Sequence, residues 1–186
     1  MRMIVAAAIF AVSLTGTIVR ADVESGPAVD DKVPALKVHA VVGPVENKDV
    51  DYTAERKGKP TIYIFIQATE WSRPMARYLR KLDTTIGKTE GAAIVAVWMT
   101  DDKEKTRTYL PRAQRSLKME STALALFPDS QTGPEGWGLN ADAFMTTVVT
   151  NKGKVTATFA YQSMNETDLS DVEKAFQKAL KAAANK

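Results

Sequence analysis

Three short apolar runs constrain this chain more than any other feature. They are Thr61–Gln67 (TIYIFIQ), Ala92–Met99 (AAIVAVWM) and Thr122–Phe127 (TALALF). Each is rich in β-branched or apolar residues and nearly continuous rather than alternating. A strand with one wet face alternates, whereas a continuous run belongs in a sheet covered on both faces. Helical patterns separate the runs. Met75, Tyr78, Leu79 and Leu82 fall at i, i+3, i+4 and i+7 on a helix that begins at Ser72. The segment 100–119 (TDDKEKTRTYLPRAQRSLKM) reads as a second helix, with Thr100 or Asp101 as cap and Pro111 as a kink or break. Strand–helix–strand crossovers make the neighbouring strands parallel.

The flanking segments complete the sheet. Residues 33–43 (VPALKVHAVVG) alternate as a half-buried strand does, which places the only histidine, His39, at the surface or at a sheet edge. Residues 44–60 are polar and turn-like, with one helical turn around Tyr52–Arg56. Two β-rich runs, MTTVVT and KVTATFAY, flank Asn151-Lys152-Gly153 and predict a hairpin. A last helix follows, with Ser170 and Glu173 matching a capping box and Val172, Phe176, Ala179, Leu180 and Ala183 on one apolar face. The fold class expected is α/β, a mixed sheet sandwiched by helices.

The chain begins with a different kind of segment. Residues 1–21 carry Arg2, an apolar run from Ile4 to Leu14, and Val19-Arg20-Ala21 at the end, the pattern of a cleaved secretory signal peptide. The apolar run is shorter than the ~20 residues of a membrane span, so an uncleaved anchor is the weaker reading. An extended, acid-rich lead-in covers residues 22–32. The expected location is outside the cytoplasm, periplasmic or secreted. Loss of Arg2 and Arg20 with the signal lowers the formal charge from +3 to +1. A near-neutral domain with acids beside its basic clusters has no one-sided basic face for nucleic acid, and no membrane contact is expected beyond the signal.

Of the 186 residues none is cysteine. That excludes thiol chemistry, thiolate-bound zinc and iron–sulfur clusters, and a lone histidine excludes a histidine-built metal site. No cofactor and no metal are expected. Glu70 with Thr100-Asp101-Asp102 is the nearest approach to a Ca²⁺ or Mg²⁺ cluster, but helix capping accounts for these acids more simply. GPEGWGLNAD (133–142) lacks the strand–glycine–helix context of a phosphate loop and reads as a structured loop stacking Trp137 at the rim of the junction described next.

That junction is IFIQATEWSRPMARYL, Ile64–Leu79, where the first apolar strand ends at Trp71 and a helix begins. The order of elements and this junction resemble the thioredoxin-like superfamily, closest to its TlpA-like and peroxiredoxin-like extracytoplasmic branch. Val33-Pro34-Ala35-Leu36 matches that branch's opening strand, with a polar hairpin after it, and Lys57–Pro60 matches its KGKP lead-in. The motif Trp-Cys-x-Pro-Cys is represented here by Trp71-Ser72-Arg73-Pro74-Met75, with both cysteine positions substituted. The family's cis-proline would fall at Phe144 or Met145, and neither is proline. The resemblance runs over residues 33–182 and implies one thioredoxin-like domain over 33–184.

The substitutions decide the chemistry. A helix N-terminus lowers the pKa of a cysteine thiol, but a serine hydroxyl is far too weak an acid to ionise there. Ser72 is therefore expected to cap the helix, and Met75 to fill the core. Arg73 is expected to be solvated. Trp71 is either a scaffold residue or the aromatic anchor for an unknown protein partner. The leading functional reading is a non-catalytic binding module, a pseudo-enzyme. The alternative is an enzyme using the non-thiol groups Ser72, Glu70 and Asp101 at the same position, which needs a base beside Ser72.

Overall fold

A computed structural model describes residues 23–129, 132–164 and 167–184; the expected signal peptide, residues 1–21, lies outside the described residues. The three apolar runs form β3 (Thr61–Gln67), β4 (Ala93–Met99) and β5 (Thr122–Phe127). They sit at the centre of a seven-stranded sheet of order β2-β1-β5-β4-β3-β6-β7, where β1 is Lys37–Val42, β2 is Lys48–Asp51, β6 is Met145–Asn151 and β7 is Lys154–Tyr161. β3, β4 and β5 are parallel, and β1, β6 and β7 join antiparallel. Every residue of β3 is buried, as its continuous apolar pattern requires.

The two crossovers step the same way across the sheet, so right-handed connections place α2 (Arg73–Thr85) and α3 (Lys103–Leu117) on one face. α4 (Asp168–Ala184) joins them there. Ile62, Ile64, Ile66, Ala96 and Trp98 turn toward this face and pack with Met75, Leu79, Leu110 and Phe176. The alternate residues Tyr63, Phe65, Val95 and Val97 turn to the other face. There the cover is Tyr52 of the one-turn helix α1 (Tyr52–Arg56), Leu36, and Trp137 from the loop after β5.

Several local expectations are corrected. β2 forms an antiparallel edge strand within the segment read as turn-like, so β1 lies inside the sheet and His39 is not an edge residue. His39 Nδ1 faces the Asp49 carboxylate at 2.8 Å across the β1–β2 pair. Pro111 does not break α3. It removes one backbone donor, but the helix runs through it because Thr106, Leu110 and Ala113 are buried. The capping box at Ser170 and Glu173 is not formed. α4 starts earlier, Ser170 lies in its first turn, and Glu173 instead accepts a hydrogen bond from the Thr85 hydroxyl at 2.7 Å. Trp137 is not at the junction's rim. It is fully buried on the opposite face, at 4.7 Å from Phe65 and 5.2 Å from Tyr63, with its indole N–H donating to the Ala35 carbonyl at 2.9 Å.

The predicted hairpin is present. Lys152 and Gly153, at φ 52° and 73°, form a two-residue turn with both central residues left-handed, the twist that matches the strands. The lead-in is bonded to this sheet. Asp30 donates its N–H to Val155 and Asp31 accepts from Val155, both at 2.9 Å, while the Ser25 hydroxyl meets that of Thr146 at 2.7 Å in a buried pair.

Candidate functional site

The site lies at the carboxyl ends of β3 and β4, the edge at which open α/β sheets hold ligands. β3 ends at Gln67, a 3₁₀ turn covers Ala68–Glu70, and Trp71 leads into α2. Ser72 occupies the N-cap in extended conformation, φ −137° and ψ 166°. The expected cap hydrogen bond is absent, because its hydroxyl accepts no backbone N–H. Pro74 sits at the second helical position and has no N–H, which removes one of the two donors a capping oxygen uses. Arg73 and Pro74 are exposed, and Met75 is 2% exposed within the helix-side core.

Neither base considered for Ser72 is hydrogen-bonded to it. His39 is on β1, three strands away from β3, and is engaged with Asp49. Glu70 is exposed in the 3₁₀ turn. Phe144 is half-buried, its carbonyl accepts the Gln67 N–H at 3.0 Å, and Met145 opens β6 fully buried; the described peptide bonds are all trans.

Trp71 is the pivot of the arrangement. Half-buried, it packs edge-to-face on Trp98 with ring centroids 5.0 Å apart and planes at 62°. Its indole N–H donates to the Tyr109 hydroxyl of α3 at 2.6 Å. These rings line a groove of about 390 Å³, with Thr69, Asp102 and Lys105 among its other lining residues. That volume lies in the range of small-molecule sites. Thr100 binds its own loop: its hydroxyl accepts from the Asp102 N–H at 3.1 Å and the Thr106 hydroxyl at 3.0 Å. The α3 cap is Asp102, not Thr100 or Asp101; its Oδ1 accepts the Lys105 N–H at 2.9 Å. The indole N–H of Trp98 is buried with no partner among the described residues.

Among the described residues no three metal-ligating side chains of His, Asp or Glu converge. Glu70 is not in the groove with Asp101 and Asp102. Sequence reading missed Trp98, Tyr109 and Lys105. Helical spacing was the available signal for two of them, since Asp102, Lys105 and Tyr109 fall at i, i+3 and i+7 on one face of α3.

Solved structures share this arrangement of strands and helices. A DsbF homologue from Corynebacterium diphtheriae matches with a TM-score of 0.59 and 15% identity, over 91% of this chain and 97% of its own. The fold is thioredoxin-like. The pneumococcal exposed lipoprotein thioredoxin Etrx1 of Streptococcus pneumoniae matches at TM-score 0.54 and 13% identity, over 78% of this chain and 99% of its own. A peroxiredoxin-like protein from Aquifex aeolicus matches at 0.53 and 15%, over 79% and 86%. No protein-family model and no curated protein matches the sequence. The thioredoxin-like fold is thus carried here by a chain with no cysteine.

Proposed function

We propose that this chain is an exported, thioredoxin-fold binding module that engages a protein partner at the Trp71 groove and catalyses no thiol exchange. One observation carries the reading. At the redox-motif position, Ser72 and Met75 replace the thiols, and neither Glu70 nor His39 is hydrogen-bonded to Ser72, while next to them lies an aromatic groove. Binding needs shape and desolvated contact rather than a nucleophile, and partly exposed tryptophan is a favoured anchor. Export is supported by the signal pattern of residues 1–21 and by the likeness to an exposed lipoprotein. Among the described residues no helix is long and apolar enough to cross a membrane.

The test is a pull-down from the extracytoplasmic fraction of the source cells, comparing the wild type with Trp71→Ala. A partner retained by the wild type and lost by the variant is the expected outcome. Equal recovery of every partner by both proteins sinks the anchor, and turnover of insulin disulfides or peroxide by the purified protein sinks the non-catalytic reading.

A further inference from the structure

We propose that the groove beside Trp71 binds an alkylated ammonium cation carrying an oxygen acceptor. This rests on the reading of the groove as a binding site and names its ligand class.

Three aromatic rings meet there. Trp71 and Tyr109 are tied edge to hydroxyl at 2.6 Å, which holds them as one unit, and Trp98 forms the floor at 5.0 Å from Trp71. Aromatic faces are electronegative and attract an organic cation that is weakly hydrated. Negative charge stands at the same rim. Asp102 uses Oδ1 on the Lys105 N–H, and its Oδ2 has no partner among the described residues. The hydroxyls of Thr100 and Thr106 are spent on each other and on the α3 cap, so neither is left for a sugar. The buried, unpartnered N–H of Trp98 is the donor that an oxygen on the ligand would satisfy. Lys105 is the opposing charge in the groove, so it weakens a cation and would strengthen an anion.

The full chain is titrated by calorimetry with choline and with 3,3-dimethylbutan-1-ol, the neutral isostere of the same shape. Saturable choline binding is expected, with the isostere weaker by about tenfold, the range of a desolvated cation–aromatic contact. Tyr109→Ala should weaken choline by about tenfold on the same grounds. Asp102→Asn, which keeps a capping side chain, should weaken it by about threefold, and Lys105→Gln should tighten it by a similar factor. A trimethyllysine peptide separates the sources: tighter binding than choline assigns the cation to a partner protein, equal binding to a free small molecule. Equal affinity for the isostere, no saturation up to about 50 mM, or weakening by Lys105→Gln overturns the proposal. If choline fails while Trp71→Ala still loses a partner, the ligand class is wrong and the binding module stands.

Discussion

The indole N–H of Trp71 donates to the Tyr109 hydroxyl at 2.6 Å, joining the start of α2 to the middle of α3 across the carboxyl ends of the central strands. In sequence the two residues are 38 apart. Their bond crosses the mouth of the groove and ties Trp71, which packs on Trp98, to α3.

Tyr109→Phe removes the acceptor and keeps the ring. Because Tyr109 is 40% exposed, the freed indole N–H can reach water, so the stability loss should stay below about 1 kcal/mol. The indole proton of Trp71 should exchange with solvent faster than in the wild type. Nuclear magnetic resonance of the three indole N–H signals, with urea melts for stability, checks both expectations. An unchanged Trp71 exchange rate would mean that the bond does not persist in solution.

The two helix caps at the site give opposite expectations. Ser72 makes no cap hydrogen bond, so Ser72→Ala should cost less than about 0.5 kcal/mol, below the usual value for a working cap. Asp102 accepts the Lys105 N–H at 2.9 Å, so Asp102→Ala should cost about 1 kcal/mol. Urea midpoints of the two variants settle the order, and a larger loss at Ser72 would contradict the N-cap geometry.

A stronger effect is expected far from the groove. Asp83, 6% exposed near the end of α2, accepts three hydrogen bonds: from the N–H of Glu120 at 3.0 Å, the N–H of Ser121 at 2.9 Å and the hydroxyl of Thr122 at 2.8 Å. The carboxylate fastens α2 to the start of β5. Asp83→Ala leaves these donors without their partner and should cost about 3–4 kcal/mol, with a parallel fall in thermal midpoint. A loss near that of an average surface substitution would show that water replaces the carboxylate.

How much was legible follows from the range of each signal. β3, β4, β5 and the hairpin announced themselves because continuous apolar runs and a glycine turn are local patterns with few other structural meanings. The substituted motif was legible as soon as Trp71 and Pro74 were in register. The Ser72 cap failed because a residue two places on, Pro74, takes away a donor, which a type-by-type reading of caps does not weigh. A break at Pro111 did not follow for the opposite reason, since burial of Leu110 and Ala113 outweighs a local helix penalty. Trp98 and Tyr109 are brought to Trp71 only by the crossover of β4 and α3, a long-range contact that no window of sequence contains. β2 is a short, polar edge strand, and polar edges carry little hydrophobic pattern to read.

Burial of phenols sets the alkaline limit. Desolvation pushes Tyr52 up to about 12 from 10.0, and raises Tyr63 and Tyr78 as well, with the Thr147 hydrogen bond to Tyr78 opposing the shift only in part. An acid whose folded pKa is raised keeps its proton in the native state while the unfolded chain releases it. The stability it provides is therefore complete below pH 10 and falls as pH climbs from 10 through 12. Tyr52 alone should account for about 2–3 kcal/mol of loss across that window. Urea melts at stepped pH should show the decline, and Tyr52→Phe should remove its share and leave that of Tyr63 and Tyr78.

The last prediction concerns the vanished chemistry. Position 72 is the N-cap of α2, the end at which a helix leaves backbone N–H groups without intrahelical partners, with Arg73 next to it. That field favours a thiolate. In Ser72→Cys the introduced thiol should titrate below the ~8.5 of a free cysteine. Rates of iodoacetamide alkylation against pH give the value directly, with no other thiol in the chain to interfere. Position 72 is half-buried at a boundary with solvent, so the reagent has access. Burial acts in the other direction and raises a thiol pKa in apolar surroundings. A value above 8.5 would mean that packing against Trp71 outweighs the helix end, and that the junction has lost the electrostatics of a redox site along with its cysteines.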